Sequence, residues 1–95
     1  MLIKAAEARK QLAEFGADWE VNDTSISKEF TLLGFHQAMD FVNQTAVEAM
    51  KYDHHPDIDI RFNKVKIFLT TKDEGGITKK DIEMARAIED FEIIV

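Results

Sequence analysis

The residues with the clearest capacity for chemistry are His54 and His55, which are adjacent and are followed directly by Pro56. An ordinary imidazole has a pKa of about 6.5, so both protonation states are accessible near neutral pH and the side chain serves as an acid or a base. Pro56 restricts the backbone after the pair and favours a fixed orientation. The doublet alone also fits a second interpretation, in which two histidines at a helix C-terminus only cap carbonyl groups.

The histidines follow a segment with the pattern of a long amphipathic helix. Its apolar residues recur at helical spacing and are Phe35, Ala38, Met39, Val42, Ala46, Ala49 and Met50. Such spacing places them on one face, so Met50 is interpreted as a core residue. Pro56 forbids continuation of this helix, which must therefore end close to the histidines.

Beyond Pro56 the chain alternates apolar and polar residues in two runs, first on even and then on odd numbers. A two-residue turn at 63–64 reconciles the two runs on one face of a hairpin. The predicted pairs are Phe62 with Val65, Ile60 with Ile67, and Ile58 with Leu69. The same register, extended past the strand ends, sets Lys72 opposite His55.

The remaining segments supply two further helices and another hairpin. Residues 2–15 suit a helix that Gly16 ends, and residues 19–32 alternate as two short strands. Thr78 and Asp81 have the spacing of a capping box at the start of a last helix. The predicted order is α-β-β-α-β-β-α, an α+β fold with a four-stranded antiparallel sheet and helices packed on one face. Residues 1–95 are expected to form a single domain.

Composition excludes several classes of function. Among 95 residues, 18 are acidic and 12 are basic, and the net charge of −6 repels phosphate backbones, so direct nucleic-acid binding is not expected. The absence of cysteine excludes a disulfide framework and a thiolate metal site. No apolar run has the length of a membrane span, and the apolar start at 1–3 is too short for a signal peptide. A cytoplasmic protein without membrane contact is expected.

Residues 51–81 resemble the pterin-4a-carbinolamine dehydratase family, also called the dimerization cofactor family. The resemblance rests on His54-His55-Pro56, Phe-Asn-Lys-Val at 62–65, Thr70-Thr71, and a glycine turn before Thr78-x-x-Asp81. It implies the same α+β fold and a homodimer or homotetramer. Two positions depart from the family pattern, because Lys72 stands where a third active-site histidine is usual and Met50 where a polar or acidic residue is usual.

The resemblance implies an activity and a set of site residues. The activity is the elimination of water from a 4a-hydroxytetrahydropterin to give a quinonoid dihydropterin, which needs an acid near the departing oxygen and a base near a ring nitrogen. The expected catalytic residues are His54, His55 and, as the substituted third member, Lys72. The expected substrate-binding residues are Asp53, Pro56, Thr71 and Asp73. No cofactor is implied, and the expected ligand is the pterin substrate.

A second class of function fits the same resemblance. Family members also act as transcription-factor dimerization cofactors and, in carboxysome-bearing bacteria, as Rubisco assembly factors, so a protein client without catalysis is the alternative. Lys72 and Met50 favour that alternative, because an ordinary lysine, with a pKa of about 10.4, is a fixed cation at neutral pH. The retained His54-His55-Pro56 favours the enzyme.

Three weaker features receive ordinary interpretations. Adjacent histidines seldom converge on one ion and His36 is distant in sequence, so no metal site is expected, even with Asp53 or Asp57 as a further ligand. The pair at 79–80, Lys-Lys, is interpreted as a solvent-exposed helix face. The apolar segment 91–95 is interpreted as part of a subunit interface.

Overall fold

The chain forms three helices and a four-stranded antiparallel sheet in the predicted order. The computed structural model describes residues 1–91. Its elements are α1 (Ala5–Glu14), β1 (Glu20–Val21), β2 (Ile26–Thr31), α2 (Phe35–Tyr52), β3 (Asp57–Arg61), β4 (Lys64–Leu69), a 3₁₀ turn (Lys72–Glu74) and α3 (Lys79–Glu89). The predicted α+β class is therefore confirmed.

The sheet is built around β4, the strand that lies between β2 and β3 in the strand order β1-β2-β4-β3. Val65, Ile67 and Leu69 of β4 are fully buried, and the residues between them are partly open. The buried residues of all three helices belong to the same apolar cluster as these side chains. The helices therefore cover one face of the sheet, as expected for an alternating strand pattern.

The predicted register of the β3–β4 hairpin is wrong by two residues. Ile60 pairs with Val65 and Ile58 with Ile67, so the turn residues are Phe62 and Asn63 rather than 63–64. Lys64 also pairs with Thr31 of β2, so it lies in a strand and not in the hairpin turn. A shift of two keeps side-chain parity, and the apolar residues that remain paired stay on one face.

The predicted position of Lys72 opposite His55 is also wrong, because the observed register, when extended, sets Thr70 opposite His55. Lys72 lies beyond the end of β4, in the 3₁₀ turn Lys72–Glu74. Any approach of Lys72 to the histidines therefore depends on that turn and not on strand pairing.

Helix α2 is rotated relative to the predicted apolar stripe. Its buried residues are Ala38, Phe41, Thr45 and Ala49. Thr45 is tolerated there because its hydroxyl donates to the Phe41 carbonyl at 2.8 Å. Met50 is 68% exposed, so its interpretation as a core residue is wrong. Phe35 at the other end of the predicted stripe is exposed as well.

The two ends of the chain also differ from the sequence pattern. Helix α1 begins at Ala5 rather than at residue 2, because the amide of Ile3 donates to the carbonyl of Ile77 at 2.7 Å and holds the start of the chain in an extended form. Of the predicted interface segment, only Phe91 is described, and its ring packs on that of Phe41 with centroids 5.6 Å apart. Residues 92–95 lie outside the described part. None of the described helices is both long and apolar enough to span a membrane.

Phe62 occupies a left-handed turn position with φ of 53° and is 69% exposed. An L side chain there is strained by about 1 kcal/mol, and an exposed ring gains little from packing. We expect Phe62→Gly to raise the free energy of unfolding by about 0.5–1 kcal/mol, as measured by urea denaturation at a fixed protein concentration.

The matched control is Arg61→Gly, which makes the same replacement at the preceding strand residue. There glycine has its entropic cost and removes the exposed contact of Arg61 Nε with Asp59 Oδ1 at 3.3 Å, which contributes little, and we expect a loss of about 0.5–1 kcal/mol. A Phe62→Gly variant no more stable than the parent protein would contradict the assigned turn.

Candidate active site

The end of α2 sets the two histidines in different environments. Asp53 adopts a left-handed conformation with φ of 52°, and the amide of His54 then donates back to the carbonyl of Ala49 at 3.0 Å. This is a common way of ending a helix, with the left-handed residue reversing the chain direction. His54 turns inward and is 8% exposed, whereas His55 is exposed. The doublet is thus divided into a buried and a solvent-facing imidazole.

His54 forms a short contact with a buried carboxylate. Its Nε2 lies 2.6 Å from Oδ1 of Asp81, and Asp81 is fully buried in the α3 N-terminal turn. The other oxygen, Oδ2, accepts from the Thr71 hydroxyl at 2.9 Å and from the Thr78 amide at 2.9 Å. A buried carboxylate needs such donors on both oxygens, because each lost partner leaves a desolvated charge.

The second ring nitrogen of His54 faces solvent. Nδ1 has no hydrogen-bond partner within residues 1–91. In that range, Oε2 of Glu48 is the one buried side-chain nitrogen or oxygen that lacks a partner, so Nδ1 is not a buried atom. Nδ1 must therefore be accessible. With Nε2 donating to Asp81, the lone pair of Nδ1 is available to a bound molecule.

These groups line an open pocket of about 280 Å³. The lining residues are Asp53, His54, His55, Thr70, Thr71, Lys72, Asp73 and Lys80. The pocket contains every predicted site residue except Pro56, which leads from the histidines into β3. Their predicted roles in catalysis and binding stay predictions. Polar side chains converging on one concavity are typical of a small-molecule site.

The approach of Lys72 and Asp73 to the histidines depends on the turn after β4. The Thr71 carbonyl accepts from the amides of Glu74 at 3.1 Å and Gly75 at 3.0 Å, and Gly75 has a φ of 76°. A side chain at such a φ would be strained, so glycine suits the position. The turn folds residues 72–74 back toward the end of α2.

Lys72 is 70% exposed and is therefore far more solvated than His54, which is buried. Its Nζ is 3.7 Å from Oδ1 of Asp57, which is also largely exposed. Exposed ion pairs of this kind contribute about 0–1 kcal/mol and are screened by salt. Lys72 is therefore free to exchange Asp57 for another partner.

The candidate site residues predicted from the sequence did not include Asp81, which contacts His54, or Lys80 and Thr70, which line the pocket. Asp81 was predicted only as a helix cap, although a capping-box carboxylate uses one oxygen for the backbone and leaves the second for another donor. The second carboxylate oxygen of Asp81 could therefore have indicated a further partner, such as a histidine, from the sequence alone. Lys80 is exposed, as interpreted, but it also lines the pocket. Within residues 1–91, no three histidine, aspartate or glutamate side chains are grouped to hold a metal ion.

Asp81 joins the cap of α3 to His54, so its loss should weaken the fold. In Asp81→Asn the amide nitrogen would face either the Thr71 and Thr78 donors or Nε2 of His54, which would have to give up its proton to accept from it, and the charge that strengthens these bonds is lost. We expect the free energy of unfolding to fall by about 1–3 kcal/mol. Chemical denaturation measures this change. Asp73→Asn alters an exposed carboxylate in the same pocket and should stay within about 0.5 kcal/mol. Equal losses in the two variants would contradict a structural role for the Asp81 contacts.

Comparison with known proteins agrees with this fold. The family model described as pterin 4 alpha carbinolamine dehydratase matches residues 1–91. Relatives named "Putative pterin-4-alpha-carbinolamine dehydratase" occur in Chloroflexus aurantiacus, with 43% identity over 94% of this chain and 95% of the relative, and in Herpetosiphon aurantiacus, with 46% identity over 94% and 93%. A crystal structure titled transcriptional coactivator/pterin dehydratase, from Brucella melitensis, matches with a TM-score of 0.85 and 32% identity over 94% of this chain and 96% of that one. This chain therefore belongs to the pterin-4a-carbinolamine dehydratase family.

Proposed function

We propose that the protein is a 4a-hydroxytetrahydropterin dehydratase. The observation that carries the proposal is the open Nδ1 of His54, which faces the pocket while Nε2 of the same ring is held 2.6 Å from Asp81. A histidine held by a carboxylate at one nitrogen and free at the other is the arrangement of a positioned general base. Family membership supports the reaction class, although the names of the relatives do not by themselves establish an activity.

The proposed elimination breaks the C4a–O bond and removes a proton from the adjacent ring nitrogen, so that a C=N double bond forms and water departs. In this scheme Nδ1 of His54 takes the proton from nitrogen, and the Asp81 carboxylate stabilises the resulting imidazolium. His55, exposed at the pocket, donates a proton to the departing hydroxide in its imidazolium form. The two histidines thus supply the base and the acid, and the cycle closes when His54 returns its proton to solvent and His55 takes one up from solvent.

Lys72 is assigned an electrostatic role rather than a proton-transfer role. Its ammonium is exposed and has only the weak Asp57 contact at 3.7 Å, so it can move to the leaving oxygen without a large loss. A fixed cation there stabilises negative charge as the C4a–O bond breaks. We propose that this contact replaces the hydrogen bond of the usual third histidine.

A second candidate function is binding of a protein client without catalysis. The observation that favours it is the same Lys72, because an exposed cation is an indifferent acid or base at neutral pH. The Brucella melitensis structure carries both names in its title, so both functions remain relevant to this chain. A direct rate measurement separates them.

We expect the purified protein to accelerate dehydration of a synthetic 4a-hydroxytetrahydropterin, with the rate followed by absorbance. His54→Ala should lose about 100-fold or more, the usual contribution of a positioned acid or base. Lys72→Ala should lose less than His54→Ala, because an electrostatic contact is removed without loss of the proton acceptor.

The matched control is His36→Ala, which removes the histidine that lies outside the pocket on α2 and should retain the parent rate. A parent rate equal to that of buffer would contradict the dehydratase. If Lys72→His then gains activity, the pocket has lost its chemistry through this one substitution, and binding of a client becomes the favoured function.

We also propose that the protein forms homo-oligomers. Outward-facing apolar residues accumulate on and just before α2 and are Leu33, Phe35, Val47 and Met50. Several large apolar groups exposed along one helix of a small domain are typical of protein interfaces, and the resemblance to the family implies a dimer or tetramer. A second copy of the chain is the proposed occupant of this surface.

Sedimentation velocity tests the assembly. We expect the parent protein to sediment as a dimer or tetramer and Val47→Glu and Phe35→Glu to shift it toward monomer, because a charge at a buried interface lacks a partner. Gln44→Glu adds the same charge at another exposed position of α2 and should leave the assembly intact. A monomeric parent protein would contradict the proposal.

A further inference from the structure

We propose that Thr71 is a positioning residue that fixes the tautomer of His54 through Asp81. Its hydroxyl lies between the hydroxyl of Thr78, at 2.6 Å, and Oδ2 of Asp81, at 2.9 Å. The catalytic consequence rests on the proposed function, whereas the tautomer itself does not. Sequence reasoning assigned Thr71 to substrate binding, and the proposal gives its hydroxyl a different task.

The direction of each hydrogen bond in this cluster follows from counting protons. An ionised carboxylate only accepts, so Thr71 must donate its single hydroxyl proton to Asp81. Thr71 then has no proton left for Thr78, so the 2.6 Å contact must be donated by the Thr78 hydroxyl. Thr78 Oγ1 in turn accepts from the amide of Lys80 at 3.2 Å. The chain of donors therefore runs one way, from the α3 backbone to Asp81.

Burial keeps this direction fixed. Thr71 is 6% exposed, Thr78 is 3% exposed and Asp81 is fully buried, so water cannot replace a missing donor at low cost. Two donors at Oδ2, the Thr71 hydroxyl and the Thr78 amide, stabilise the charged carboxylate. Oδ1 of that carboxylate can then only accept from His54. Nε2 must bear the proton, and Nδ1 keeps its lone pair toward the pocket.

The backbone of Thr71 ties this hydroxyl chain to the opposite wall of the pocket. Its amide donates to the Gly76 carbonyl at 2.8 Å, and its own carbonyl accepts from Glu74 and Gly75. The turn that presents Lys72 and Asp73 therefore closes on the same residue that holds Asp81. Thr71 therefore acts twice, because its hydroxyl donates to Asp81 and its backbone holds the turn that carries Lys72 and Asp73.

The tautomer can be observed without any substrate. We expect long-range ¹H–¹⁵N spectra of the full chain at about pH 8.5, where an ordinary histidine is neutral, to show His54 almost entirely as the Nε2–H form. Thr71→Val removes the hydroxyl at nearly constant volume and leaves Oδ2 with one donor, so the charged form of the carboxylate is less well stabilised. Where Oδ1 then takes up a proton and donates it to Nε2, His54 adopts the Nδ1–H form, and we expect a mixture of the two tautomers. Thr71→Ser restores the hydroxyl and should return the parent spectrum, which loss of packing alone would not explain.

Thr45→Val is the matched control, since Thr45 is also fully buried and its hydroxyl bonds a backbone carbonyl outside the pocket. It should leave the His54 signals unchanged. A parent protein in the Nδ1–H form overturns the proposal even if Thr71→Val does not fold. A folded Thr71→Val with the parent tautomer overturns it as well.

The kinetic consequence is separate. If the dehydratase activity is present, Thr71→Val should lower kcat by about tenfold with KM within about twofold, because the pocket keeps its substrate contacts and loses only the preset base. An unchanged kcat beside an altered tautomer overturns the catalytic consequence. If the parent protein has no activity, the proposed function fails, and the spectra still decide the role of Thr71.

Discussion

The structure depends on the buried carboxylate of Asp81. A desolvated charge must be surrounded by donors, and here the donors come from three separate parts of the chain: His54 after α2, Thr71 after β4 and Thr78 at the start of α3. Satisfying one carboxylate therefore brings three chain segments to one point. The floor of the pocket is the place where those segments meet, so the cap of α3 and the candidate active site are a single interaction.

The pocket consequently has a rigid floor and a solvated mouth. Asp81, Thr71 and Thr78 are buried and bonded in one direction, whereas Lys72, Asp57 and His55 are exposed. Exposed charges can be exchanged at little cost in stability, because water compensates for what they lose. Lys72 lies among the exposed residues, where the fold tolerates a change of side chain, and it takes no part in the buried contacts of Asp81.

The sequence alone was sufficient for whatever depended on local pattern. Apolar alternation located the strands, and the spacing of Thr78 and Asp81 located the start of α3, whose capping box is present. Prediction from the sequence failed where the position of a residue depends on packing against another element of the fold. Lys64, which was predicted to lie in the hairpin turn, is paired with Thr31 of β2, and the buried face of α2 includes Phe41, which the predicted stripe did not contain. Convergence of Lys72 with the histidines was predicted for the wrong reason, since the turn closed by Thr71 produces it.

The contrast between buried, hydrogen-bonded side chains and exposed ones also indicates which residues carry information about function. The fold requires Asp81 to have donors, so the retention of His54 beside it is expected in a catalytic and in a purely binding member alike. The exposed imidazole of His55 and the open Nδ1 of His54 have no such structural reason, because neither satisfies a buried group within the described residues. Side chains that the fold does not require are more informative about chemistry than those that it does. By that criterion, His55 and the orientation of the His54 ring support catalysis more strongly than the buried pair does by its mere presence.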